Sequence, residues 1–510
     1  MSALLFLHRW IGVVLAAFMT LWLGSGLLIV LTDPPATDRA AQLAHADFLA
    51  QQPNWIGPEE TWRRGGEGAL PAEARLVRKA GAPYWLFKKP SGEVVALSAT
   101  DAAPHVFSAD DAGLIAADWL AAPGEEESAR SAVVYLGQGE APPYIRNAEG
   151  LGPFHTLAVD DGWGTHLIVS SRSGDVLASA GAPRRAAYYA GSWIHTFHPL
   201  DFLGENRRLV LAWAGGLAAA ASLSGLIVGW IRWRPGLFGR PTYSGGRRQP
   251  YRRFWLATHF WTGLIGGTFA LLWALSGFLS TNPGGLFSQA GLSPAESAAY
   301  VGAADPRDDF RLPSHDVADE VELSWRRLGD QTILVGVAAD GDRVPLRAAD
   351  DRFAPDAIPA ALRRLIGDTP IAAETEISQY DSYYYRNRRQ SAIDRPLPVL
   401  KIDLADARGT RLYIDPLDGR ILLRQDASRR AYRWLFNGLH HWDFGFLAAR
   451  PAWLAWELTL VPIGLVLAIS AFVLGWRRLQ VTGLSARLNW QAKWASRKAK
   501  TSPHAEVSGA

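Results

Sequence analysis

The chain of 510 residues contains no cysteine, and methionine occurs only at Met1 and Met19. The first absence excludes disulfides, thiolate-bound iron–sulfur clusters and the CxxCH attachment of c-type haem. With methionine this scarce, histidine is the obvious donor to any iron cofactor. The GxGxxG fingerprint is also missing, so no fused dinucleotide-binding module is expected. Acidic residues are missing from two basic stretches. Arg232, Arg234, Arg240, Arg247, Arg248, Arg252 and Arg253 have none among them, and Arg477, Arg478, Arg487, Lys493, Arg497, Lys498 and Lys500 have only Glu506 beyond them.

The chain is 48% hydrophobic with a net charge of +3, and its mean hydropathy is near zero. That balance is too polar for a wholly membrane-embedded chain, and its apolar residues fall in blocks, which points to membrane helices plus large aqueous domains. Crossing about 30 Å of hydrocarbon takes roughly 20 helical residues. Four runs qualify, near Leu4 to Leu31, Leu209 to Ile231, Trp255 to Ser280 and Trp453 to Trp476. The apolar stretch from Ile11 to Leu31 exceeds the usual signal-peptide core of about 7–15 residues, so it is expected to be a retained anchor. The positive-inside rule puts both basic stretches, and with them both termini, in the cytoplasm. The expected architecture is a bundle of four transmembrane helices at 1–32, 207–232, 254–281 and 452–477. Two α+β periplasmic domains occupy 33–206 and 282–451, with a cytoplasmic basic loop at 233–253 and a basic tail at 478–510.

Two histidine motifs occur twice. HRWIG from His8 and HFWTG from His259 recur 251 residues apart, and LWLGSGLL around Ser25 and LWALSGFL around Ser276 keep the same spacing. HxxDF begins at His198 and again at His440. The hairpin-like HLIVSSRSGDVL from His166 matches RLYIDPLDGRIL from Arg411, and an arginine pair follows each, Arg184 and Arg185, then Arg429 and Arg430. The pattern reads as an internal duplication. Because each repeat has an even number of crossings, both halves keep one orientation, and matched residues lie at one depth.

Ionisable side chains in a membrane are functional candidates because they are costly to hold there. His8 and His259 are expected to ligate one haem near the cytoplasmic face, with Gly12 and Gly263 leaving room for a flat ring on the same helical faces. His198 and His440 are expected to ligate a second haem at the distal face. Aligning from the arginine pairs instead matches His195 to His440, and His441 adjoins His440, so His195 and His441 are alternates. The other reading of such histidines is hydrogen bonding between helices. Asp201 and Asp443 of HxxDF also serve as capping or loop residues. His45, His105, His155, His166, His315 and His504 are read as surface residues. Both haems are expected to be non-covalent haem b, two macrocycles dividing the hydrocarbon distance for electrons moving from the cytoplasmic face outward.

These motifs, with DPLDGRIL from Asp415, DSYYYRNRR from Asp381 and LHHWDF from Leu439, resemble the PepSY-associated transmembrane proteins along nearly the whole chain. The resemblance implies an inner-membrane protein with four helices and periplasmic PepSY-type domains. It implies a haem-dependent oxidoreductase that reduces a ferric siderophore and so releases iron, with quinol, reduced flavin or a separate reductase as donor. Tyr383, Tyr384, Tyr385, Arg386 and Arg388 are the candidate acceptor site, where aromatic faces stack on a chelate and guanidinium groups attract an anionic complex. The competing reading of that segment is an aromatic-packed sheet edge. For the chain as a whole, the rival is a non-enzymatic PepSY membrane protein acting as a sensor or peptidase regulator.

Overall fold

A computed structural model describes residues 2–49, 54–121, 132–237, 239–303, 317–346, 353 and 355–501. His315, His504, Glu506 and the side chains of Arg487, Lys493, Arg497, Lys498 and Lys500 lie outside the described residues.

Four long apolar helices form where the sequence has its four apolar runs. They are Ser2–Leu31, Asn206–Arg232, Phe254–Ser280 and Arg450–Thr501. The first and third hold no proline, and each stops just before one, at Pro34 and Pro283, because proline cannot continue the ladder. Each has a window apolar enough to cross a bilayer, and the chain is a multi-pass membrane protein. Val14, Trp213, Ile265 and Phe472 remain exposed on their helices, as lipid-facing side chains do.

The bundle unit comprises Met1–Leu31, Ala190–Gly284 and Leu435–Ala510. The second helix packs on the first and third, and the fourth packs on the third and first. The first and third helices are therefore diagonal. Small residues bring neighbours close: a Cβ on Gly215 would lie 3.1 Å from the backbone nitrogen of Phe278, and one on Gly266 would lie 2.8 Å from Ile463 Cγ2.

The second unit comprises Thr32–Tyr189 and Gly285–Trp434. Its strands are β1 Glu73–Lys79, β2 Ala82–Lys88, β3 Val94–Ser98, β4 Pro104–His105, β5 Val133–Gly139, β6 Phe154–Val159, β7 His166–Ser170 and β8 Val176–Ala180. They continue with β9 Glu320–Leu328, β10 Gln331–Ala338, β11 Arg343–Pro345, β12 Ile371–Ile377, β13 Val399–Leu404, β14 Arg411–Ile414 and β15 Ile421–Gln425. One sheet runs β11-β10-β9-β1-β2-β3-β4, and two four-stranded sheets run β5-β6-β7-β8 and β12-β13-β14-β15. The matched hairpins of the sequence are the β7–β8 and β14–β15 pairs.

The two aqueous segments, expected as two domains, are joined in one unit through the antiparallel pairing of β1 with β9, where Leu76 sits opposite Leu323. That pairing covers two strand edges that would otherwise expose unpaired backbone groups. The shared sheet is buried on both faces. Leu76, Trp85 and Trp325 face one core, and Val77, Leu86, Leu157 and Leu167 pack in another. Arg75 bridges Asp175 at 2.8 Å and Glu322 at 3.1 Å across this junction. Two stretches with no regular apolar pattern contain helices, Pro58–Gly65, with Trp62 buried, and Pro294–Val301, capped by Ser293 and Glu296. Short helices of this kind take their stability from the buried side chain or the cap, not from a long periodic pattern.

Candidate functional site

His8 sits two turns into the first helix and His259 one to two turns into the third. Their rings face each other across the bundle diagonal, with centroids 6.2 Å apart. At the other end His195 lies opposite His440, also with centroids 6.2 Å apart but with ring planes at 70°, against 40° for the first pair. Seventeen residues separate His8 from Ser25, and His259 from Ser276. That is about 25 Å of helix at a rise of 1.5 Å per residue. Between the pairs Leu15, Ala218 and Ala274 pack with Ile11, Met19 and Trp22.

Each imidazole is tied by Nδ1 to a buried serine on a different helix. His8 Nδ1 lies 3.2 Å from Ser224 Oγ and 3.1 Å from the Ala221 carbonyl oxygen. His195 Nδ1 lies 3.2 Å from Ser25 Oγ and 3.1 Å from the Trp22 carbonyl. His259 Nδ1 is 3.1 Å from Ser470 Oγ, and His440 Nδ1 is 3.0 Å from Ser276 Oγ. The Leu467 and Trp273 backbones also lie within hydrogen-bonding reach of His259 and His440. At one end serine contacts join the first spanning helix to the second and the third to the fourth; at the other end they join the first and third helices to the segments that precede the second and fourth. The histidine pairs join one such helix pair to the other.

His198, preferred over His195 by the HxxDF motif, is not the partner of His440. Its Nδ1 donates to Asp201 Oδ2 at 2.8 Å, and Arg207 closes the same carboxylate at 3.0 Å. Phe197, between the two histidines, has a left-handed backbone with φ of 57°. This turn separates the directions of two side chains that a regular helix would place on one face. His441 is exposed and lies edge-on to His440, with centroids 5.3 Å apart.

Ser224 and Ser470 escaped the sequence reading. The signal was present, since SGLIVGW from Ser224 and SAFVLGW from Ser470 share a serine followed at one spacing by Gly-Trp. His155, read as a surface residue, is buried at 3% exposure, between the Tyr135 hydroxyl and the Phe107 carbonyl oxygen.

The pairs fit an iron porphyrin. Two metal–imidazole bonds of about 2 Å each, plus the half-widths of two five-membered rings, bring centroids to roughly the separation found at both ends. Nδ1 is occupied at all four histidines, while among the described residues none hydrogen-bonds their Nε2. Metal-binding imidazoles characteristically tie off their second nitrogen in this way. Among the described residues no group of three or more His, Asp or Glu side chains converges to hold a bare ion. A Cβ on Gly12 would meet nothing within 4 Å, whereas one on Gly263 would touch Leu467 Cδ1 at 3.5 Å.

The tyrosine segment divides. Asp381 Oδ1 accepts from the backbone nitrogens of Tyr383 and Tyr384 at 2.7 Å each, and its Oδ2 accepts from the Tyr413 hydroxyl at 2.8 Å. Tyr384 is 0% exposed and stacks on Tyr413 at 5.1 Å. Its hydroxyl donates to the Pro396 carbonyl at 2.7 Å, and burial raises its pKa. Tyr384 is a core residue, which corrects its place in the acceptor site. Tyr383 and Tyr385 are half-buried under Arg411 and Arg433, and Arg386 is exposed, 5.2 Å from the Tyr380 ring centre.

The family model of the PepSY-associated TM region matches residues 5–339. The match takes in the first three spanning helices with His8, His195, His198 and His259, and it ends just past β10. No curated protein matches the chain.

Proposed function

We propose, for a chain that belongs to the PepSY-associated TM family, that it is a di-haem b-type reductase of the bacterial inner membrane. It takes electrons from the cytoplasmic side or the quinol pool and delivers them to a periplasmic ferric chelate of the siderophore type, releasing iron. The observation that carries this reading is the pair of facing imidazoles at each end of one bundle, His8 with His259 and His195 with His440, at one separation. When bound, the haems supply the one-electron chemistry. The protein's part is to hold two imidazoles per site from opposed elements, to exclude water with apolar helix, and to set the spacing through the membrane.

An internal duplication explains why each end pairs matching residues of the two halves, each beside a matching serine, and why two four-stranded sheets share one strand order. The arginine-rich loop after the second helix supports cytoplasmic termini and periplasmic sheets. It carries Arg240, which caps the Trp230 and Ile231 carbonyls. Tyr383, Tyr385, Arg386 and Arg388 are the proposed contacts for an anionic chelate.

The deciding measurement is the visible spectrum of the purified protein. A Soret band, sharp dithionite-reduced α and β bands and about two haems per chain are expected. A colourless, folded protein would refute the reductase reading and favour a PepSY sensor or peptidase regulator.

A further inference from the structure

We infer that Ser25, Ser224, Ser276 and Ser470 are positioning residues that, each with a carbonyl one turn back, hold the four imidazoles in the Nδ1–H tautomer and so present Nε2 as the electron-pair donor. The purpose of this device rests on the haem reading above. The tautomer itself stands on hydrogen-bond geometry alone.

All four serines are buried, at 4%, 5%, 0% and 0% exposure in the order named. A hydroxyl has one proton to give. Ser25 gives it to the Trp22 carbonyl at 3.0 Å, Ser224 to Ala221 at 2.9 Å, Ser276 to Leu272 at 2.6 Å and Ser470 to Leu467 at 2.7 Å. Each oxygen is then left as an acceptor, and Nδ1 of a histidine lies 3.0 to 3.2 Å away. For His8 and His195 a backbone carbonyl sits 3.1 Å from the same nitrogen. A carbonyl oxygen only accepts, so an unprotonated Nδ1 would turn its lone pair onto two oxygens. The proton therefore sits on Nδ1, and Nε2, on the far edge of the ring, keeps its lone pair.

Local sequence supports the same device. Glycine follows three of the serines, and a Cβ on Gly26 would lie 3.5 Å from His195 Cε1, on Gly225 2.7 Å from His8 Cε1 and on Gly277 3.7 Å from His440 Cε1. The Ser-Gly step pairs a hydrogen-bond acceptor with space for the ring it holds. Serines that merely link helices have no need of a fixed tautomer or of one acceptor geometry repeated four times.

Two measurements on the full chain in detergent test the inference. Nitrogen-15 NMR of histidine-labelled protein prepared without haem, assigned by single His→Gln variants, should show His8, His195, His259 and His440 protonated at Nδ1. Protonation at Nε2 in these four would overturn the tautomer assignment, whether or not the protein binds haem. Ser→Ala at each position should then weaken haem binding at its own pair by about 10–100-fold and shift that haem's midpoint potential, with the other haem unchanged. Ser→Thr, which keeps the hydroxyl, should restore both. Unchanged affinity and potential in all four alanine variants would remove the positioning role. A wild-type protein that takes up no haem would sink the reductase reading and leave the NMR result to decide the tautomer.

Discussion

The imidazoles of His195 and His440 lie opposite each other with centroids 6.2 Å apart, a separation shared by His8 and His259 at the opposite end of the bundle. His195 comes from the segment before the second spanning helix and His440 from the segment before the fourth. Neither ring is on a spanning helix, so each depends on a serine of the neighbouring helix for its orientation. Ser25 holds one and Ser276 the other. A pair built from two connecting segments thereby acquires the rigidity of the helices that anchor it.

His195→Ala should remove the distal haem and leave the other, halving the haem-to-chain ratio by pyridine haemochrome assay. His198→Ala should keep both haems, because His198 is engaged with Asp201 and not with His440. Loss of a haem in the His198 variant together with full occupancy in the His195 variant would reverse the assignment.

Gly225→Ala tests the same geometry at the His8 end with a single methyl group. Its Cβ would lie 2.7 Å from His8 Cε1, closer than carbon atoms pack. His8 must turn, and with it the line from its ring to His259 changes. The expected result is loss or broadening of the Soret contribution of that site with the distal site intact. Gly12→Ala, where a Cβ meets nothing within 4 Å, is the matched control in haem-free protein and should leave the melting temperature unchanged.

Much of this site was legible in the sequence, and the part that was not has a physical reason. The constant spacing through HxWxG and the Ser-Gly pair marked His8, His259, Ser25 and Ser276, because a helix has a fixed rise and cannot absorb insertions without rotating its face. The distal pair lies in connecting chain, where residues are gained and lost freely. There the HxxDF string matched His198 to His440, while the hairpin and arginine-pair spacing matched His195, and the hairpin proved the better ruler because strand register is fixed by side-chain alternation. The β1–β9 pairing left no local trace, since joining strands some 250 residues apart is a tertiary choice. The tyrosine run read as one surface although Tyr384 points inward from a bend, where Asp381 accepts from the backbone nitrogens of Tyr383 and Tyr384.

Tyr384 and Arg386 should separate stability from acceptor binding. Tyr384→Ala removes a fully buried ring and its hydroxyl bond to Pro396. By analogy with buried aromatic truncations it should cost about 3–5 kcal/mol, seen as a lower denaturation midpoint of the full chain. Arg386→Ala, at an exposed side chain, should leave the midpoint within about 0.5 kcal/mol while weakening capture of an anionic ferric chelate. An Arg386 variant that unfolds early and reduces normally would place this residue in the framework instead.

The junction of the shared sheet should make the protein acid-sensitive in a defined window. Burial alone would raise the Glu73 carboxyl, but Arg326 and Lys88 outweigh it and bring its pKa from 4.5 down to about 2. Asp175 is likewise held low against burial by Arg75 and Lys79. A carboxyl whose folded pKa lies below its unfolded value contributes stability that is complete above the unfolded value and lost as pH falls through the folded one. For Glu73 that window runs from 4.5 down to about 2. The Glu73 contribution, read as the difference in melting between the parent and Glu73→Gln by tryptophan fluorescence, should therefore be constant from neutral pH to about 5 and shrink below it. Glu73→Gln should melt lower than the parent at neutral pH, where Arg326 and Lys88 have lost their counter-charge, and the two curves should converge as the window is crossed. A gap of equal size at neutral and at acid pH would mean that Glu73 contributes by packing and not by its charge.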